Sequence, residues 1–188
     1  MNISDVRSYI EEGLKARSKI DPELVLHLGE KMAESVKSGN KIIIFGNGGS
    51  AADAQHIAAE FVGRFEKERR PIPALALHAN TSSLTAIAND YGYEHVFERQ
   101  IEAFARKGDV VIGISTSGNA PNVLNAITAA RRIGCLTIGM TGSKGGKLSQ
   151  AAEVSIKIES DRTSIIQECH IAIGHMISKI VEDRIDSI

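Results

Sequence analysis

The 188-residue sequence has no tryptophan, only 4% aromatic residues and only two cysteines. So few aromatic side chains disfavour a base-stacking surface for single-stranded nucleic acid. Cys135 and Cys169 lie too far apart for a Cys-x-x-Cys motif, and two cysteines cannot form a disulfide framework. The cysteine usage is typical of a reducing compartment, and the cytoplasm is therefore the expected location.

Net charge and long apolar runs are lacking as well. The 22 Lys and Arg residues balance 23 Asp and Glu residues, so the formal net charge is −1. That balance disfavours bulk electrostatic binding to nucleic acid or to an anionic membrane surface. No apolar run reaches membrane length, and the N-terminal residues lack the hydrophobic core of a signal peptide. We therefore expect neither a nucleic-acid partner nor a membrane partner.

Short apolar segments alternate with helical patterns along most of the chain. Such alternation predicts an α/β fold, with a parallel sheet covered by helices on both faces. We expect one domain over residues 1–188, with helices in 1–39, an α/β core in 40–188 and a long last helix from 162 to 186. The first helix has little sheet to cover, so it packs either on its own core or on another subunit. The predicted strands are 41–45, 72–77, 109–115, 135–140 and 153–158.

The stretch 41–63 joins a strand, a glycine-rich turn and a helix. The turn, Gly46 to Ser50, matches the pattern G-x-G-x-x-A of dinucleotide-binding proteins. The acidic residue that this pattern requires about twenty positions later lies here in a charged loop, so the match is weak. Free backbone N–H groups at a helix start favour a bound polar or anionic group. A tight turn without a ligand is the alternative.

A second polar turn, Ser115-Thr116-Ser117, follows the buried strand 109–115. Ligands of open α/β sheets bind beyond the carboxyl ends of the strands, where this turn and the turn 46–50 are expected to meet. Three consecutive hydroxyl residues before a helix suit a phosphate monoester, because they supply donors without bulk. Simple capping of the turn by Ser and Thr is the alternative.

His56 and Glu60 lie four residues apart, on one face of the helix that follows the first turn. The pair suits either metal binding or acid–base chemistry, although a simple hydrogen bond gives the same spacing. Gln167 and His175 lie on the last helix, eight residues or about 12 Å apart. Both reach one metal only if their side chains extend towards each other, and His170 competes with them.

Taken together, these motifs resemble the sugar isomerase (SIS) domain family, and within it the phosphoheptose isomerases. The resemblance covers almost the whole chain. It rests on GNGGSAADAQH at 46–56, Glu60, Gly63-Arg64, Ala88-Asn89-Asp90, GDVVIGISTSGN at 108–119, LTIGMTG at 136–142, Gly145-Gly146 and the run from Ile166 to His170 with His175.

The resemblance implies a flavodoxin-like three-layer α/β sandwich, and a homotetramer with its sites between subunits. It implies conversion of sedoheptulose 7-phosphate to D-glycero-D-manno-heptose 7-phosphate through an enediol. It also implies that Glu60 and His175 act as base and acid, and that His56, Glu60, Gln167 and His175 bind zinc. The substrate-binding residues implied are Asn47, Gly48, Gly49, Ser50, Glu60, Asn89, Asp90, Ser115, Thr116, Ser117 and Gln167.

The sequence departs from the family pattern at two places. Ala120 stands where many isomerases have a serine, and Ser164-Ile165 stands where an Asp-Arg pair is common. A non-catalytic branch of the family, which binds a replication initiator, is the alternative. That branch keeps a similar histidine but lacks the acid corresponding to Glu60, so we expect an enzyme here.

Overall fold

The computed structural model describes residues 1–185, and its centre is a five-stranded parallel sheet. The strand order is β2-β1-β3-β4-β5, and every neighbouring pair is parallel. Each strand therefore returns by a crossover through a helix, as the alternating pattern predicts. The strands are β1 (Ile42–Gly46), β2 (Ala74–Ala76), β3 (Val110–Ile114), β4 (Leu136–Thr141) and β5 (Val154–Lys157).

Eight helices occur in the part of the chain that the structure describes, with a short 3₁₀ turn at Tyr93–His95 before the fifth. The last helix is the longest, with 22 residues, and the predicted end at position 186 lies outside the described residues. The helices are α1 (Ile3–Arg17), α2 (Pro22–Lys37), α3 (Gly49–Val62), α4 (Thr81–Tyr91), α5 (Glu98–Phe104), α6 (Pro121–Ile133), α7 (Leu148–Ala151) and α8 (Thr163–Arg184).

The sheet is buried on both faces, which is why its strands are continuous apolar runs. Side chains alternate along β1, so Ile42 and Ile44 belong to one core cluster while Ile43 and Phe45 belong to the other. The first cluster packs under α2, α3 and α8, and the second packs under α5 and α6. The predicted α/β class, with a parallel sheet between two helical layers, is confirmed.

The two N-terminal helices pack against α8, which lies next to α3 on the same side of the sheet. α1 keeps an apolar stripe, Ile3, Val6, Ile10 and Leu14, that is 47% to 81% exposed. Among the helices of the described residues, none has the length and apolar character of a membrane span.

Candidate active site

The turn between β1 and α3 is built for close approach to a ligand. Gly48 has φ = +58°, a left-handed conformation that favours glycine, and space lies open beside it. A Cβ atom on Gly49 would lie 2.5 Å from Nε2 of Gln167. The glycine at position 49 therefore lets the last helix bring the Gln167 amide against the first turn of α3.

A cavity of about 380 Å³ lies where this turn meets the turn after β3. Three helix N-termini border it: α3 at Ser50, α6 at its N-cap Ala120 and α8 at its first residue, Thr163. Each N-terminus presents the positive end of a helix dipole, so the cavity favours an anion without a lysine. The residues that line it are Asn47, Gly48, Gly49, Ser50, Ile114, Ser115, Thr116, Ser117, Ala120, Thr163 and Gln167.

The cavity lining contains residues from both polar turns predicted from the sequence, and three residues outside that prediction: Ile114, Ala120 and Thr163. The glycine-rich turn 46–50 and the hydroxyl-bearing turn 115–117 both border the cavity, together with Gln167. Thr163 was missed, although a threonine at the start of a helix is a recognisable signal for capping or anion binding. Ala120 supplies a methyl group to the lining, and no hydroxyl.

Asn47 is held by residues that the sequence did not single out. Its side-chain amide exchanges two hydrogen bonds of 2.9 Å with Asn122, which is 2% exposed. The Tyr93 hydroxyl also donates to Oδ1 of Asn47, at 3.2 Å. This amide pair ties the turn after β1 to the first turn of α6, so it fixes the distance between the two polar turns.

Asn89 and Asp90 lie elsewhere, at the C-terminal end of α4. Both are exposed, and the Asn89 amide donates to the Asp90 carboxylate at 2.8 Å. Neither lines the cavity described above, and their predicted contact with the substrate stays a prediction.

Farther along α3 and α8, three side chains converge. The Nε2 atoms of His56 and His175 lie 3.0 Å apart, and the same His56 atom lies 3.1 Å from Oε1 of Glu60. One donor atom from each residue can be chosen so that all three lie within 4.8 Å of one another. The three are called the triad below. A close approach of the helices at Ile57 and Gly174 brings it together, since a Cβ on Gly174 would lie 2.5 Å from the Ile57 side chain.

Two imidazole nitrogens and a carboxylate oxygen form a donor set that suits zinc. Ligands at the usual Zn–N and Zn–O bond lengths in a tetrahedral site lie about 3.3–3.5 Å from one another, so these side chains need only small adjustments. The residues present therefore fit a divalent metal. Gln167 packs over Gly49 at the cavity end of α8, and its role as the fourth ligand stays a prediction.

Two titratable groups beside the site have shifted pKa values. Burial raises the pKa of Asp53, one turn before His56, while the charge of His56 acts to lower it. One Asp53 carboxylate oxygen is buried without a hydrogen-bond partner among the described residues. Burial lowers the pKa of His78, whose Nε2 contacts the carbonyl oxygen of Gly46 at 2.7 Å. Asp53 lies within the strand–turn–helix unit that carries the site, and His78 contacts the end of its strand.

His170, which competes with Gln167 and His175 in the sequence, has a different role. It is fully buried, its Nε2 contacts the Thr141 carbonyl oxygen at 3.2 Å, and burial lowers its pKa to about 4. The triad therefore uses His175, and His170 is a neutral residue of the core.

Known proteins resemble this chain over most of its length. A family model described as "SIS domain" matches residues 7–142. The probable phosphoheptose isomerase of Thermoplasma acidophilum is 53% identical over 180 residues, which cover 96% of this chain and 99% of that protein. The phosphoheptose isomerase of Aquifex aeolicus is 55% identical over 154 residues, covering 82% and 81%.

Solved structures of phosphoheptose isomerases also resemble this chain. The phosphoheptose isomerase of Neisseria gonorrhoeae is 40% identical and superposes with a TM-score of 0.90, over 96% of this chain and 98% of that one. The enzyme from Francisella tularensis is 30% identical, with a TM-score of 0.92 over 97% and 100%. The chain thus belongs to the SIS domain family, in its phosphoheptose isomerase branch.

Proposed function

We propose that this chain interconverts sedoheptulose 7-phosphate and D-glycero-D-manno-heptose 7-phosphate. One observation carries the proposal: the triad and the anion-binding cavity lie along the same pair of helices. Gly49 and Gln167 lie at the cavity end, while His56 and His175 lie about two turns further along α3 and α8. The relatives named phosphoheptose isomerase at about 50% identity support the same activity.

The spacing suits a phosphorylated sugar chain. Seven residues of helix, about 10 Å, separate Gly49 from His56. An extended heptose phosphate can place its phosphate among the N-termini of α3, α6 and α8, with its carbonyl end near the triad. The hydroxyls of Ser115, Thr116 and Ser117 would donate to the phosphate oxygens and fix that end of the substrate. The length of the sugar would then select which carbon reaches Glu60.

The isomerisation moves one proton between C1 and C2. Glu60, as a carboxylate, takes a proton from C1 of the ketose, and the C–H electron pair forms the C1=C2 bond of the enediol while the C2 oxygen gains a proton from His175. Return of a proton to C2 and loss of the proton from the C1 oxygen gives the aldose. A triad that contains both a carboxylate and an imidazole matches these needs.

The metal role belongs to the proposal as well. His56, Glu60 and His175 would hold a zinc ion, with Gln167 as the proposed fourth ligand, and the ion would polarise the substrate oxygens. Because His175 meets its neighbours through Nε2, a proton donated while that atom binds metal must come from Nδ1. Glu60 has two oxygens, so one can bind metal while the other accepts the proton.

The assembly, location and domain organisation are likewise proposed. The exposed apolar stripe of α1 supports association into a homotetramer, since such stripes mark protein contacts. Cys135 and Cys169 are both free and buried, which supports a reducing compartment such as the cytoplasm. The packing of α1 and α2 on α8 supports one domain over 1–188.

A panel of ketose phosphates of five, six and seven carbons tests the function. We expect turnover of sedoheptulose 7-phosphate, with kcat/KM at least tenfold above that for the shorter ketoses. Absence of turnover with every sugar, by folded and metal-loaded protein, would favour the non-catalytic branch of the family. Glu60 argues against that branch, because the acid is present and lies within the triad.

A further inference from the structure

A buried ion pair, Arg69 with Glu182, connects the two helices that carry the triad. Arg69 lies in the segment after α3 and is 4% exposed, and Glu182 lies near the end of α8 and is 2% exposed. Nε of Arg69 is 3.2 Å from Oε1 of Glu182. Fully buried charges are retained only where both are paired and further hydrogen-bonded, so each partner's other contacts decide what the pair does.

The guanidinium of Arg69 binds carbonyl groups at the C-terminal end of α3. Nη2 donates to the carbonyl oxygen of Glu60 at 2.6 Å, and Nη1 donates to those of Phe61 at 2.9 Å and Gly63 at 3.3 Å. The last carbonyl groups of a helix lack partners within it and carry its negative end. Arg69 therefore fixes the turn of α3 from which the Glu60 side chain projects into the triad.

Glu182, on α8, binds the backbone of the segment that follows α3. Its carboxylate accepts hydrogen bonds from the backbone N–H groups of Phe65 at 3.0 Å, Glu66 at 2.8 Å and Lys67 at 2.9 Å. Burial raises the pKa of this carboxyl, but these three donors and Arg69 outweigh burial and leave the pKa below its ordinary value. Glu182 is thus a charged carboxylate that binds the segment after α3 through three backbone hydrogen bonds.

The same segment contacts the triad directly. The ring of Phe65 stacks on the imidazole of His175, with centroids 5.7 Å apart and planes at 29°. Glu182 follows His175 by seven residues, two turns on the same side of α8. The ion pair therefore acts on His175 through Phe65 and on Glu60 through its carbonyl group.

We propose that Arg69 and Glu182 are positioning residues, which hold Glu60 and His175 at the separation that the metal and the reaction require. The inference rests on the metal role proposed above for the triad. It assigns the pair a function beyond stability: the two residues touch neither substrate nor metal, yet set the geometry of the groups that do.

The test compares two variants with a control that breaks a different ion pair to α8. Glu182→Gln keeps the shape and removes the charge, and Arg69→Lys keeps the charge and removes the forked donor geometry. The control, Glu30→Gln, breaks an exposed ion pair to Arg184, two residues after Glu182. Zinc affinity is measured by titration of metal-free protein, with kcat, KM and thermal unfolding measured alongside.

We expect each variant to bind zinc about tenfold more weakly, the size usual for residues that support metal ligands. We also expect kcat to fall by at least tenfold while KM changes less than about threefold, because the phosphate cavity is at the other end of α3. The control should match the wild type in both. Arg69→Lys should retain more affinity and more kcat than an Arg69→Gln variant.

Three results would overturn the inference. The first is wild-type zinc affinity and kcat in variants that only melt at a lower temperature, which would make the pair structural. The second is failure of both variants to fold, which would make the pair a requirement of the fold. The third is an equal loss in the control. Failure of the metal role itself is distinguishable, because His56→Gln would then leave the zinc binding of otherwise wild-type protein unchanged.

Discussion

Asn47 and Asn122 exchange two hydrogen bonds of 2.9 Å, and this amide pair joins the turn after β1 to the first turn of α6, beside the 380 Å³ cavity. Oδ1 of Asn47 accepts from Asn122 and from Tyr93, and its amide nitrogen donates to Asn122. Most of the hydrogen-bonding capacity of Asn47 is therefore used within the protein. We therefore expect Asn47 to place the N–H groups of Gly48 and Gly49 relative to the second turn.

Loss of the Asn122 amide should therefore impair binding of the substrate phosphate. We expect Asn122→Ala to raise KM about tenfold with a smaller fall in kcat, and to destabilise the fold by about 1–2 kcal/mol because the Asn47 amide loses its buried partner. Steady-state kinetics and urea unfolding measure the two effects. The control is Asn125→Ala, which removes an exposed hydrogen bond on the same helix; an equal rise in KM there would contradict the account.

We expect a glycine to be required at position 49 because a side chain there would collide with Gln167, and not because of its backbone conformation. A Cβ at this position would lie 2.5 Å from the Gln167 amide, so Gly49→Ala should displace that side chain and lower kcat/KM by about tenfold or more. Stability should hold or rise slightly, since alanine favours a helix more than glycine does.

A double-mutant cycle checks this explanation. If Gly49→Ala acts by moving Gln167, then adding it to Gln167→Ala should cause little further loss of kcat/KM. Full additivity of the two losses would show that the alanine acts by another route.

The local part of the site could be predicted from the sequence. Strand, turn and helix are consecutive between Lys41 and Gly63, and a spacing of four residues alone places His56 and Glu60 on one face. The contact between His56 and His175 spans 119 positions and depends on how closely α3 and α8 approach. No sequence pattern gives that distance, although the glycine at 174 permits it.

Residues that act through buried polar contacts escaped prediction for the same reason. Asn122 follows a proline at a helix start, where asparagine is unremarkable, and its significance comes from a partner 75 positions away. Arg69 stands in a charged run that is typical of an exposed loop, and only the fold shows that it is 4% exposed. Burial of such groups is a property of the tertiary structure.

His170 should make the stability of the fold depend on pH. Its pKa is lowered from 6.5 to about 4, so below pH 6.5 the unfolded chain binds a proton that the folded chain does not. The free energy of unfolding should therefore decrease as the pH falls from 6.5 to about 4, by about 3 kcal/mol from this residue.

Urea unfolding at a series of pH values measures this contribution. His170→Gln should lose about 3 kcal/mol less than the wild type between pH 7 and pH 4, because glutamine does not titrate. The exposed His27→Gln variant should keep the wild-type dependence. Parallel curves for wild type and His170→Gln would contradict the assignment.

Removal of metal should abolish most of the activity. Exhaustive chelation should lower kcat at least tenfold, with recovery on addition of zinc, and His56→Gln should reduce the metal content of the purified protein. His95→Gln, which lies outside the triad, should retain its metal. Full activity in protein without detectable metal would remove zinc from the account.

The most direct measurement is the turnover of sedoheptulose 7-phosphate by Glu60→Gln, beside the wild type and an exposed-glutamate control, Glu66→Gln. Glutamine keeps the size of the side chain but cannot take the C1 proton. The account predicts that kcat falls by about 10²–10⁴-fold in zinc-saturated Glu60→Gln, with thermal unfolding of the metal-free protein unchanged and with wild-type turnover in the control. Wild-type turnover by folded Glu60→Gln would contradict the assignment of Glu60 as the base.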